Sequence, residues 1–302
     1  MVTHHTASLI SANPCGRCHP LARSSRSVVS RIAVIDQSSV PASAGRSLAF
    51  WRFPQAMGLM RRLFLRQLRS AVPDPVLRAR LTPDHEIGCK RITVSSDWYP
   101  ALQRPHAEVV GGAVEGLTAD GLVVGGVVHP CDVVVLATGF ATTEFLTGVS
   151  VTGRDGSTLA DAWRDGASAH LGLSVPGFPN MFLVYGPNTN SSGGSIVFYL
   201  EAQARYIRQA IAVLARLPEG GLEIRRSVYE ASDRALQQRF TGTAWTRCDS
   251  WYRTESGRIV TNWPGYMRQY EQATERVDPS EYVFHPCPGP TCPQASSTVW
   301  SE

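Results

Sequence analysis

Two apolar runs stand out from an otherwise mixed chain. Asp132-Val-Val-Val-Leu-Ala-Thr-Gly-Phe140 sets one polar residue before an aliphatic stretch stopped at Gly139, and Met181-Phe-Leu-Val-Tyr185 repeats the pattern before Gly186-Pro-Asn-Thr189. Unbroken apolar runs of this length, bounded by glycine, read as strands buried on both faces. The turn that follows such a strand is where α/β proteins bring backbone close to a ligand. The pattern predicts two neighbouring core strands whose glycine turns bracket one pocket, and the simpler alternative is a plain core strand with a tight turn.

Helical spacing appears in several places. Residues 51–72 alternate bulky apolar side chains with Arg61, Arg62, Arg66 and Arg69, which predicts an amphipathic helix ended by Pro73 and Pro75. A basic face of that kind suits a membrane surface or, more commonly, plain solvent. A short helical segment follows over 74–81, and an aromatic turn at Asp97-Trp-Tyr-Pro100. Residues 107–138 break into short strands separated by glycines and by Ala119-Asp-Gly121, a β-meander that returns into the first apolar run. A short helix is expected over 159–163. A long helix is expected over 196–217, with apolar positions at Ile196, Leu200, Ala204, Ile207, Ile211 and Leu214, and a shorter one over 228–240. The Trp and Tyr residues between 245 and 266 form a half-buried floor or lid, able to stack on a flat cofactor or simply to fill gaps.

Composition narrows the classes. A chain of 302 residues with 43% hydrophobic and 18% charged residues is globular, and a net charge of +4 gives no argument for nucleic acid. No apolar run is long enough for a transmembrane helix and no apolar core marks a signal peptide, so a cytoplasmic location is expected and membrane association is not. Residues 1–30 are low in apolar content and are expected to be disordered or loosely packed, residues 1–46 as a whole to be disordered or a non-family segment, and the proline-rich stretch 283–302 to be disordered. Within the first stretch, Cys15-Gly-Arg-Cys18-His19 matches a covalent haem attachment pattern or a zinc half-site, or is a polar tail with chance cysteines. No metal site is assigned.

Gly88-Cys-Lys-Arg91 places two adjacent cations after a glycine turn, a plausible anion grip in which arginine offers a fork and lysine a point charge. With Pro83, Asp97-x-Tyr99-Pro-Ala-Leu102, Ala137-Thr-Gly-Phe140, Phe178-Pro-Asn-Met-Phe182, Gly186-Pro-Asn-Thr189, Cys248-x-Ser-Trp-Tyr252 and Asn262-Trp-Pro-Gly265, it forms an ordered set of motifs. This set resembles the C-terminal half of class B flavoprotein monooxygenases, the group holding Baeyer–Villiger and flavin-containing monooxygenases, over about residues 50–282.

The resemblance implies an α/β fold, part of a two-dinucleotide-binding-domain flavoprotein with a mixed sheet, a β-meander and a long C-terminal helix. Residues 47–136 would be a remnant of the NADP-binding domain, and 137–282 the C-terminal part of the FAD-binding domain. It also implies FAD and NADPH as cofactors. The activity it implies is insertion of one oxygen of O2 into a ketone, or onto an amine or sulfide, through a peroxyflavin. By position, Lys90 would grip the NADP 2′-phosphate, and Arg91 would be the catalytic cation on the flavin side. Trp251 would contact the nicotinamide half of NADP. Thr138, Gly139 and Phe140 would link the two domains, and Gly186, Pro187, Asn188 and Thr189 would turn beside the flavin.

The departures are equally specific. Arg31-Ile-Ala-Val-Ile35 reads as a strand of the kind that precedes a nucleotide-binding glycine turn, yet Asp36-Gln-Ser-Ser-Val40 follows it, and no G-x-G-x-x-G or P-loop occurs anywhere. The expectation is a family fragment with its N-terminal half missing, its residues before about 50 unlike the family. The alternative to an enzyme is a non-catalytic fragment or an interaction module.

Overall fold

The computed structural model describes residues 9–11, 54–90, 95–191, 194–216 and 220–286. They fall into two compact units divided between Ala141 and Thr142.

In the first unit, helix α1 (Pro54–Ala71) buries Leu68, and Val72 just past its end is buried too. The helix stops before Pro73, and Pro75 occupies the first position of α2 (Pro75–Arg80), where a missing N–H costs nothing. The Asp74 carboxylate accepts the amides of Val76 and Leu77, an N-cap contact worth about 1 kcal/mol. The expected aromatic turn is the short helix α3 (Trp98–Leu102).

The three central strands of the expected meander form. Strands β3 (Val114–Thr118), β4 (Gly121–Val124) and β5 (Val127–Pro130) make an antiparallel sheet in that order. Gly125 and Gly126, both at positive φ, make the two-residue turn between β4 and β5, and the Glu115 carboxylate accepts both of their amides at 3.0 Å. Separately, β1 (Leu9–Ser11) pairs antiparallel with β2 (Glu108–Val110), so this part of the 1–46 stretch is ordered by main-chain pairing rather than disordered.

The apolar run after β5 is a correction. Asp132–Phe140 is neither a strand nor buried: Val133 is 78% exposed, Val135 83%, Leu136 77% and Phe140 93%. Among the described residues no backbone hydrogen bond is made from 131–140. The run has the composition of a core strand, but among the described residues no strand pairs with it.

The second unit is organised around α5 (Ile196–Leu214), three residues shorter than expected at its C-terminal end. Its buried face carries Tyr199, Ala202, Gln203, Tyr206 and Ala210. One end of that face packs with Leu173 on the antiparallel pair β6 (Gly220–Ile224) and β7 (Tyr282–Pro286), through Leu222, Ile224 and Tyr282. The other end packs on Trp263 and on Tyr270 of α7 (Met267–Ala273). Strand β7 runs four residues into the stretch expected to be a disordered tail, because β6 supplies its hydrogen-bonding partner. Helix α4 (Leu159–Ala162) seats Leu159 against Val175 and Phe178, and α6 (Arg226–Gln238) covers a further side.

Met181–Tyr185 is also not a strand. It runs alongside α5 as an irregular segment, with the Leu183 amide donating to the Leu173 carbonyl and the Tyr185 amide to Gln203 Oε1 at 2.9 Å. The sheets among the described residues are small and antiparallel, within an α/β fold.

Candidate functional site

The turn after Met181–Tyr185 is the best-built part of the molecule. Asn188 adopts positive φ, which asparagine tolerates better than most residues, and its side chain turns inward. Its amide Nδ2 donates to the carbonyls of Ile259 (2.8 Å) and Asn262 (3.0 Å). The Asn188 amide donates to Val260 O and the Asn190 amide to Thr261 O, while Trp263 N donates back to Asn190 O. Asn190 Nδ2 adds a bond to Asn262 Oδ1 at 2.7 Å. The two segments are therefore clasped side by side, in the short parallel bridge Asn190–Asn262.

Glycine and threonine complete the clasp. A side chain on Gly186 would place its Cβ 2.2 Å from the Gly172 carbonyl oxygen, and one on Gly172 would meet Thr189 Cγ2 at 2.1 Å. Thr189 Oγ1 donates to Gly186 O at 2.7 Å. In this structure the small size and polar atoms of Gly186, Asn188 and Thr189 hold the His170–Leu173 turn and the 259–263 segment.

What the clasp leaves over bears on a cofactor. Thr261 Oγ1 and Asn262 Nδ2 are buried polar atoms without a hydrogen-bond partner among the described residues. A buried polar atom left unpaired costs about 1–3 kcal/mol, so the pair has unspent capacity for a ligand or water. A hydroxyl and an amide are groups that can hydrogen-bond the polar edge of a planar ring. They do not fit a pyrophosphate, which needs a glycine-lined run of amides, and the sequence has no such fingerprint. Sequence reasoning noted Asn262 as part of a motif but gave neither residue a role; an Asn before Trp-Pro-Gly carries no marker of a clasp.

Beside the clasp, a cavity of about 210 Å³ is lined by Leu171, Gly172, Asn188, Ser232, Arg239 and Trp263, among others. The Arg239 guanidinium lies 4.8 Å from the Trp263 ring centre, a cation–π contact, and donates to Gln269 Oε1. Nearby, His170 is buried with Nδ1 3.2 Å from Ser232 Oγ and Nε2 3.6 Å from a Glu281 carboxylate oxygen. Burial pushes the His170 imidazole down to about 4 and the Glu281 carboxyl up.

The other expected site residues lie elsewhere. Trp251 is half-exposed and stacks on the buried Tyr252 at 4.5 Å, and the main-chain carbonyl of Trp251 accepts from Thr142. Pro187 sits within the clasp. Lys90, Thr138, Gly139 and Phe140 belong to the first unit, all exposed. Gly139 has positive φ and nothing within 4 Å of the position a Cβ would take, so no packing demands a glycine there. Arg91 lies outside the described residues, as do Cys15, Cys18, His19 and Arg31–Ile35. Among the described residues, no group of three or more His, Cys, Asp or Glu could hold a metal, and no helix is long and apolar enough to cross a membrane.

No protein-family model matches the chain. A Baeyer–Villiger monooxygenase of Pseudomonas aeruginosa is 37% identical over 242 residues, 79% of this chain and 46% of that protein. One from Streptomyces coelicolor is 38% identical over 247 residues, 80% of this chain and 47% of that protein. The chain belongs to the Baeyer–Villiger monooxygenase family. It corresponds to the C-terminal part of these flavoproteins and spans about half the length of the curated relatives it matches. Among solved structures, an oxidized steroid monooxygenase bound to NADP superposes with a TM-score of 0.70 at 29% identity, over 78% of this chain and 47% of that one. A cyclohexanone monooxygenase from Rhodococcus shares the fold, with a TM-score of 0.69 at 22% identity over 79% of this chain and 46% of that one. The ordered motif set, rather than the expected strands, carried the family reading.

Proposed function

We propose that the chain serves FAD- and NADPH-dependent monooxygenation, in which one oxygen atom of O2 enters a ketone beside its carbonyl, or adds to an amine or sulfide, and the other leaves as water. The observation that carries this reading is the 37% identity to a Baeyer–Villiger monooxygenase over most of the chain. An FAD-binding monooxygenase of Aspergillus niger, 34% identical over 224 residues, supports the flavin, and the NADP-bound steroid monooxygenase supports the nicotinamide cofactor. The substrate is a small molecule, neither nucleic acid nor membrane is required, and the setting is cytoplasmic.

When bound, a flavin reduced by NADPH supplies the electrons that activate O2. The chain's residues do the holding. The exposed Lys90 ammonium meets the 2′-phosphate as a point charge. Arg91 next to it supplies a fixed cation where negative charge develops. Trp251 offers an aromatic face to the nicotinamide, and Thr138–Phe140 supply the main-chain link between the units. The Gly186–Thr189 turn fixes the 259–263 segment that carries Thr261 and Asn262.

The missing phosphate fingerprint favours a second reading, a non-catalytic module of the family. A visible absorption spectrum of the purified chain, with and without added FAD, separates the two. Bound flavin together with NADPH-dependent O2 uptake supports the first reading. In that case Arg91→Ala abolishes product formation, and Lys90→Ala mainly raises the KM for NADPH. A featureless spectrum unchanged by FAD leaves the second.

A further inference from the structure

We propose that the outward face of α1 docks on an anionic phospholipid surface. The proposal rests on the helix alone and not on the proposed chemistry, which needs no membrane. The helix carries two apolar stripes. Met60, Phe64 and Leu68, spaced four apart, turn inward, the first two half-buried and Leu68 fully buried. Leu59 and Leu63 stand on another face, each 58% exposed. With the exposed Arg62 and Arg66 they occupy positions i, i+3, i+4 and i+7, one stripe in which leucine and arginine alternate, and the exposed Arg69 lies about a turn further on. Among the described residues no hydrogen bond or ion pair engages Arg62, Arg66 or Arg69. The helix has no acidic residue, and none occurs between Asp36 and Asp74. Other exposed helices of this chain mix their charges: Arg205 of α5 pairs with Glu271 at 3.0 Å, and Arg234 of α6 lies 4.0 Å from Glu230 one turn back. A cationic stripe interleaved with leucines suits the headgroup boundary, where guanidinium forks take lipid phosphates and leucines reach the acyl chains. A nucleic acid would use the arginines and leave the leucines in water, which selects lipid. With 18 residues and four arginines, the helix lies on the surface and does not cross it.

The test is sedimentation of the purified chain with vesicles of phosphatidylcholine, with and without phosphatidylglycerol. Binding is expected only where the anionic lipid is present, and added salt should weaken it, because exposed charges are screened. Arg62→Gln together with Arg66→Gln should weaken it about 30-fold, the loss of two charges near an anionic surface. Arg62→Lys with Arg66→Lys should retain it. Leu59→Ser with Leu63→Ser should weaken it about 10-fold although no charge changes. All four side chains are exposed, so these variants should keep their helix content, which circular dichroism checks. No binding to anionic vesicles, or equal binding to both kinds, overturns the proposal. Binding that the arginine pair reduces and the leucine pair does not also overturns it, because charge alone would then account for it. Tighter binding to duplex DNA than to the vesicles overturns it in favour of nucleic acid.

Discussion

Two stretches share one sequence pattern and end in opposite states. Val133–Phe140 and Met181–Thr189 are both apolar runs closed by a glycine turn. The second leads into a turn that is buried and clasped to the 259–263 segment through Asn188 and Asn190, whereas the first is open to solvent. The difference does not lie in propensity, since the valines of the first run and Phe182, Val184 and Tyr185 of the second all favour strands. It lies in partners. The 259–263 segment, α5 and the Leu173 turn meet the second run, and no described residue pairs with the first. Even the second run is covered only in part: Met181, Phe182 and Leu183 are half-buried, while Val184 is 58% and Tyr185 43% exposed.

A large effect should come from breaking the clasp at its backbone contact. Gly172→Ala places a Cβ against Thr189 and the Pro187 carbonyl, at a positive φ that alanine resists. A loss of about 4 kcal/mol is expected, by overpacking together with backbone strain. Chemical denaturation reads it as a fall in the midpoint for the second unit. An unchanged midpoint would mean the clasp is not rigid. The equivalent change at Gly139, where open space surrounds the Cβ position, costs only the strain of its φ, about 1 kcal/mol.

The next effect is on pH dependence, in the turn that carries Gly172. His170 is held neutral by burial, its pKa lowered from 6.5 to about 4. In the unfolded chain it takes up a proton below 6.5, and in the folded chain only near 4. The stability it confers is therefore present above pH 6.5 and is lost as the pH falls toward 4, by about 3 kcal/mol at most. Two groups face the ring, the Ser232 hydroxyl and the Glu281 carboxylate. Glu281, its own pKa raised, works in the opposite direction, favouring the fold as pH falls through its folded pKa and so offsetting part of the loss. Denaturation midpoints compared at pH 7.5 and 5 should fall for the native chain and fall less for His170→Gln.

A smaller loss, about 2 kcal/mol, is expected for Asn188→Ala. It strips a hydrogen bond from the Asn262 carbonyl, while the Ile259 carbonyl keeps Gln237 as a donor. Asn188→Gly should recover the backbone part of that loss but not the hydrogen bonds, so the difference between the two variants measures the αL strain alone.

How much of this was legible depended on range. The helices at 54–71, 159–162, 196–214 and 226–238 and the meander at 114–130 follow from local periodicity and glycine turns, and they formed where expected. The family followed from the order of short motifs. The clasp was not legible, because it joins Asn188 to residues more than 70 positions away. The two expected strands failed for the same reason. Burial is a property of the neighbour as much as of the run, and periodicity reports only the run.

The smallest effect should come from the open stretch. Val135→Lys replaces an apolar side chain that is 83% exposed. If the segment has no covering in the isolated chain, the change alters stability by no more than about 0.5 kcal/mol and lessens self-association, since a lysine guards an open strand. The same substitution at Leu173, fully buried against Tyr206, Leu222 and Tyr282, should prevent the second unit from folding. A destabilisation at Val135 of the size expected for a buried valine, about 2 kcal/mol, would mean that something in the isolated chain does cover the run. Such a result, read by thermal unfolding of this one variant, would erase the contrast between the two stretches.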